Sequence, residues 1–148
     1  MALFDKINDD LKTAMLSKEK GALRAIRAIK AALLLMKTES SDKNIASEDE
    51  IRMIQKLVKQ RKESIEIYQK QNRDDLAKLE IEELLVIEKY LPRQMSVEEV
   101  IAEIASIIKE TGATSISDLG RVMPIAMKKL SGKSDGKTIS EIVKQLLA

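Results

Sequence analysis

The stretch SEDEIRMIQKLVKQRKESIEIY, residues 47–68, decides the fold. Ile51, Ile54, Val58, Ile65 and Tyr68 fall at three- and four-residue intervals, so they share one face of a helix, and Arg61 stands at the step where the next apolar residue is due. Ser47 followed by Glu50 matches a capping box, in which the serine oxygen accepts a backbone N–H and the glutamate reaches back to the serine N–H. The pattern predicts an amphipathic helix of about six turns.

Working outward, the same periodicity recurs on both sides. Leu3, Ile7, Leu11 and Met15 repeat every four residues, and Leu23, Ile26, Leu33 and Leu34 resume the pattern after Gly21, which interrupts or bends it. The polar run from Thr38 to Ala46 reads as a loop. Asn72 to Asp75 reads as a corner, and Leu76, Leu79, Leu84, Ile87 and Leu91 give the next helix an apolar face that Pro92 ends. Beyond it the elements shorten. Ser96 with Glu99 is a second capping box, and Val97, Val100, Ile101, Ile104 and Ile108 lead to Gly112 as a C-terminal cap. Ser115 or Ser117 starts the next helix, on Leu119, Val122, Met123, Ala126 and Leu130, with Pro124 near its beginning or at a kink. After a loop from Gly132 to Gly136, Thr138 or Ser140 opens a last helix on Ile139, Ile142, Val143, Leu146 and Leu147. The expected fold is all-α, with an N-terminal hairpin or small bundle of long helices over residues 1–93 and a compact three-helix domain over residues 94–148.

Composition narrows the chemistry. The 148 residues carry 26 Lys plus Arg against 24 Asp plus Glu, a net charge of +2, which argues against binding nucleic acid through bulk charge and leaves local patches open. The absence of Cys removes thiolate nucleophiles, disulfides and zinc-thiolate sites, and the absence of His removes the side chain most used for proton transfer near neutral pH. The longest apolar run, Ala31 to Met36, is far short of the ~20 residues that span a bilayer. With Asp5, Asp9 and Asp10 near the start there is no signal-peptide pattern. These features lead to the expectation of a soluble cytoplasmic protein without metal, cofactor or membrane contact.

No catalytic constellation emerges. Gly132-Lys133-Ser134 looks like the end of a phosphate-binding loop, yet Met127 stands where that motif needs a glycine and a helix precedes it where a strand should. Glu82 with Glu83, and Asp74 with Asp75, are adjacent helical residues pointing about 100° apart, so neither is a natural acid/base dyad.

Charge segregation is more informative. Residues 18–37 carry a net +5, through Lys18, Lys20, Arg24, Arg27, Lys30 and Lys37 against Glu19. Residues 52–73 again carry +5, and residues 74–99 carry −5. Either the basic and acidic helices pair inside the fold, or Arg24, Arg27, Lys30, Lys56, Lys59, Arg61 and Lys62 form a strip for a polyanion, which works by counterion release. From Gly112 onward there is a separate excess of +3, and several of Arg121, Lys128, Lys129, Lys133 and Lys137 could cluster around the loop, where Gly132 and Gly136 either admit a phosphate backbone or only make a tight turn with its lysines solvated.

Several segments together resemble the YqeY-like family. They are Leu11 to Met15, Arg24 to Leu33, Lys59 to Ile65, Asn72 to Leu76, Tyr90 to Ser96, Thr111 to Ala113, Asp118 to Met123 and Gly132 to Lys137. That family is similar to the C-terminal tail of the B subunit of the aspartyl/glutamyl-tRNA amidotransferase. The resemblance implies two helical domains and a tail that helps to hold tRNA without performing chemistry. It favours Arg121, Lys133 and Lys137 in the small domain, with Lys128 and Lys129 beside them. Three expectations follow: a non-catalytic module for tRNA or another structured RNA, a protein adaptor with no nucleic-acid role, and, least favoured, a carbon-nitrogen ligase.

Overall fold

A computed structural model describes residues 2–39 and 45–148, and among these residues the chain forms seven α-helices and one 3₁₀ turn, with no strand. The all-α expectation holds. The chain divides between Leu91 and Pro92 into two compact units.

The N-terminal unit contains α1 (Leu3–Ser17), α2 (Lys20–Glu39), α3 (Ser47–Lys70) and α4 (Asp74–Glu88). The first helix stops because Lys18 turns left-handed at φ 58° and its N–H bonds to the Ala14 carbonyl. The break therefore precedes Gly21, which lies inside α2 and serves packing. A Cβ there would sit 3.3 Å from the Glu82 Cβ, so the missing side chain lets α2 and α4 approach closely. Thr38 and Glu39, expected in a loop, continue α2, while residues 40–44 of that expected loop lie outside the described residues. Ser47 is the first helical residue of α3 and no side chain caps it, so the capping box expected there does not form. Glu48, Asp49 and Glu50 face the positive end of the helix dipole instead. Asn72, left-handed at φ 57°, turns the chain into α4, and three-residue hydrogen bonds from Lys89, Tyr90 and Leu91 tighten its exit ahead of Pro92.

Helix α4 packs along both α3 and α2, and α1 packs against α2. The core joins Ile7 and Ala14 of α1, Ala25, Ile26, Ile29 and Leu33 of α2, Ile54 and Val58 of α3, and Ile87 of α4. The four-residue stripe drawn for α1 drifts off this core, because 3.6 residues per turn bring Ala14 inward and leave Met15 exposed. In α4, likewise, Ala77 is buried and Leu79 exposed.

Arg61 fills the gap in the apolar face of α3. Its side chain is only 17% exposed, and its Nε lies 3.7 Å from both Glu80 Oε2 and Glu83 Oε2 of α4. Arg24 of α2 reaches the same acidic helix, 3.1 Å from Glu82 and 3.9 Å from Glu83. Burial pushes the Glu83 carboxyl above its ordinary value, opposed by the Arg61 charge. A second tie closes the unit, in which the Tyr90 hydroxyl donates to the Asp10 carboxylate. At the far end of α2 the Lys37 ammonium sits 3.6 Å from the centre of the Phe4 ring.

The C-terminal unit contains α5 (Val97–Thr111), a 3₁₀ turn (Ile116–Asp118), α6 (Leu119–Lys129) and α7 (Gly136–Leu147). Ser96 caps α5 by accepting from the Glu99 N–H, and Gly112, at φ 71°, ends it. Ser115 and Asp118 form a reciprocal capping box on the 3₁₀ turn. Pro124 lies inside α6. Asp135 caps α7 by accepting from the Thr138 N–H, so this helix starts earlier than at Thr138 or Ser140. Val100, Ile104, Ile107, Val122, Ala126, Leu130, Ile139, Ile142 and Val143 form the core.

The Arg61 pairing generates a stability prediction. Arg61→Met leaves Glu80 half-buried without its cation and Glu83 with Arg24 alone, an expected loss of about 1–3 kcal/mol near neutral pH in urea denaturation. Because the folded-state value of Glu83 is raised, its protonated form favours the fold, and that contribution is present at low pH and lost as pH rises through the raised value. The penalty of the variant is therefore expected to shrink on acidification into the carboxylate range. A pH-independent penalty would refute the pairing.

Candidate functional site

The structure separates the basic residues into two sets. In the N-terminal strip, Arg24 and Arg61 are engaged by the carboxylates of α4. Lys30 is half-buried with its ammonium 6.0 Å from the Phe4 ring centre, whereas Arg27, Lys56, Lys59 and Lys62 are exposed. The strip is thus a mixture of internal clamps and surface cations.

Of the second set, Lys128, Lys129, Lys133 and Lys137 gather on the α6–α7 corner, whereas Arg121, expected around the loop, lies in the first turn of α6. Lys128 and Lys129 close the last turn of α6, where cations oppose the negative end of the helix dipole, and Lys133 and Lys137 flank the start of α7. All four are exposed. Lys129 lies 3.6 Å from Glu103 of α5, and Arg121 lies 3.1 Å from Asp118. Lys128, Lys133 and Lys137 have no ion pair among the described residues.

Local backbone geometry fixes the corner. Gly132 is buried in the left-handed region at φ 78°, and the N–H groups of Lys133 and Ser134 both bond back to the Leu130 carbonyl. The incoming segment closes on this turn. Gln94 Nε2 donates to the Gly132 carbonyl at 2.7 Å, and the Met95 N–H donates to the Lys133 carbonyl at 2.9 Å. The two glycines therefore have different work. Gly132 is an inward turn residue whose carbonyl is engaged, whereas Gly136 is the exposed first residue of α7, where a Cβ would meet only the flexible end of Met127, at 3.2 Å. Gln94 gave no signal in the sequence, since it acts across 38 residues. The pairing of Asp118 with Arg121 does follow from helical spacing.

One cleft of about 440 Å³ lies in the N-terminal unit, lined by Lys6, Asp10, Glu19, Val86, Lys89 and Tyr90 among others. Its charges are mixed in sign and the Tyr90 hydroxyl is already directed at Asp10, so it offers no concentrated field for an anion. Among the described residues no group of three acids is placed to hold a metal ion, and no helix is long and apolar enough to cross a membrane.

The fold and this corner define a class: an all-helical, two-unit protein that presents surface cations on a turn between short helices. Comparison with known proteins gives the family. A family model described as Yqey-like protein matches residues 4–147, and the chain belongs to that family. It is 32% identical over 136 residues to "Altered inheritance of mitochondria protein 41, mitochondrial" of Kluyveromyces lactis, covering 90% of this chain and 69% of that one. The protein of the same name from Pyrenophora tritici-repentis is 31% identical, covering 96% of this chain and 79% of the relative. That from Clavispora lusitaniae is 37% identical over a shorter match, 61% of this chain and 52% of the relative. These names overturn the expectation of a cytoplasmic protein, because the relatives are named as mitochondrial. The absence of cysteine, of a long apolar run and of a secretory signal pattern, on which that expectation stood, does not discriminate between the two compartments.

Asp118 generates the prediction for this site. The Thr114 and Ser115 N–H groups donate to its carboxylate at 2.8 and 3.3 Å and hold it below its ordinary value, with Arg121 adding to the effect. A lowered folded-state value means stability that is present above the unfolded value and lost as pH falls through the folded one. The melting temperature of Asp118→Asn, followed by far-ultraviolet circular dichroism, is expected to lie below wild type near neutral pH and to converge with it on acidification. A constant gap would show that the charge of Asp118 is irrelevant to the turn.

Proposed function

We propose that this protein is a non-catalytic helical module that holds tRNA or another structured RNA through phosphate contacts at the α6–α7 corner. One observation carries the reading: the acidic helix engages Arg24 and Arg61 of the N-terminal strip, while Lys128, Lys133 and Lys137 stand exposed together at one corner without an ion pair among the described residues. Such cations release counterions when they meet a phosphate backbone, a gain that needs no base recognition. The chain has two Tyr, one Phe and no Trp, and the corner contains none of them. With no ring there for bases to stack on, binding reads charge and shape rather than sequence. The reading is non-catalytic because the candidate acids Glu82 and Glu83 are engaged by Arg24 and Arg61.

A protein adaptor is the second reading, and exposed apolar residues favour it. Leu16 at the end of α1 is 81% exposed and Leu85 of α4 is 58% exposed. Under this reading the basic residues serve solubility and packing.

The discriminating experiment is a fluorescence anisotropy titration with bulk tRNA and with unrelated structured RNAs at several salt concentrations. The Lys133→Ala/Lys137→Ala double variant is expected to weaken binding to all of them alike and to flatten the logarithmic salt slope by about two. Unchanged affinity would exclude the corner as the RNA contact. No binding by the wild-type chain would leave the adaptor reading in place.

A further inference from the structure

We infer that Gln94 is a positioning residue for the cationic corner, and that it makes the corner and the chain segment entering the C-terminal unit one mechanical element. The inference deepens the RNA reading and rests on it for the binding consequence, whereas the mechanical part stands on geometry alone.

The side-chain amide of Gln94 donates to two carbonyls, Pro92 O at 2.8 Å and Gly132 O at 2.7 Å. One residue later the Met95 N–H donates to Lys133 O at 2.9 Å. Two consecutive carbonyls of the corner, those of Gly132 and Lys133, are thus held by two consecutive residues of the entering segment. Pro92 stiffens that segment, because its ring fixes φ and it has no N–H to offer elsewhere. Gly132 is the most deformable point of the turn, a glycine at φ 78° with no side chain to anchor it. Its carbonyl direction is therefore set by what donates to it, and the peptide plane that carries this carbonyl also carries the Lys133 N–H. Fixing the plane fixes where the Lys133 backbone leaves the turn, and with it the direction from which the exposed ammonium starts.

Gln suits this task for a chemical reason. Its amide supplies two N–H donors on one nitrogen, one for each carbonyl, and carries no charge that would alter the field of the corner. Glutamate in its place would present only acceptors to two acceptors. Lysine would donate but would add to the charge count. The arrangement also implies reciprocity. A phosphate chain that binds the clamped corner must stabilise the clamp, and loosening the clamp must weaken binding by the same factor.

The test uses the full chain and the Gln94→Met variant, which keeps the side-chain length and removes both donors without changing charge. Amide hydrogen exchange is read at Met95, Lys133 and Ser134, with Ile104 and Val143 of the core as controls. Faster exchange at the first three with unchanged controls is expected. Equal exchange in variant and wild type would overturn the clamp whether or not RNA binds. In the tRNA titration the variant is expected to bind about fivefold more weakly, the scale of the one lost hydrogen bond that reaches the corner, with the same salt slope, because no phosphate contact is removed. A reduced slope would overturn positioning in favour of direct contact, and unchanged affinity would overturn it outright. If the wild-type chain binds no RNA, the functional reading fails and the exchange result alone decides the clamp.

Discussion

The N-terminal unit depends on one electrostatic constraint, the need of Arg61 for acid. A guanidinium withdrawn from water is costly unless carboxylates accompany it, and α3 presents this one in the middle of an otherwise apolar face. Helix α4 meets the requirement with Glu80 and Glu83, and through Glu82 and Glu83 it draws in Arg24 from α2. Three helices are thereby set in register around a few charges, with Gly21 permitting the close approach. The apolar contacts supply most of the burial but little direction, whereas the ion pairs specify which faces meet. Within the like-sign blocks of this part of the molecule, Arg24, Arg61 and the glutamates of α4 serve assembly, whereas Arg27, Lys56, Lys59 and Lys62 stay at the surface.

The C-terminal unit is organised differently. Its core is built from branched aliphatic residues on short helices, and its connections are closed by local caps: Ser96, the Ser115–Asp118 box, Asp135 and the left-handed glycines 112 and 132. Caps of this kind satisfy the orphan backbone groups that short helices have in excess. The turns are held by small polar side chains and main chain, and Lys128, Lys133 and Lys137 remain in solvent without an ion pair among the described residues.

Much of this was legible in the sequence, and the failures have physical causes. Helical periodicity identifies the helices, since the apolar faces of α3 and α5 repeat too regularly for any other element. Boundaries were less visible wherever several polar residues competed to cap. Asp135 outcompeted Thr138 and Ser140 for α7, Ser47 was drawn into the helix it was expected to cap, and a lysine, which no rule would nominate, adopted the left-handed turn that ends α1. The vacancy at Arg61 could be read from spacing, and so could the choice between internal pairing and a polyanion strip. Which carboxylates would answer it was not legible, because the partners lie on a separate helix. Of the candidate site, the cations were legible and the clamp was not, since Gln94 and Gly132 meet only through the fold.

The hydrogen bond from Tyr90 to Asp10 has an optical consequence. The chain lacks tryptophan, and its three aromatic residues, Phe4, Tyr68 and Tyr90, all precede Pro92. Ultraviolet emission from this protein is therefore tyrosine emission from the N-terminal unit alone, and a carboxylate accepting from the phenol quenches one of the two emitters in the folded state. Release of Asp10 brightens it, so the protein carries a built-in reporter of the junction between α1 and the end of α4. The C-terminal unit is dark at these wavelengths, and a single tyrosine placed there would give each unit its own optical signal.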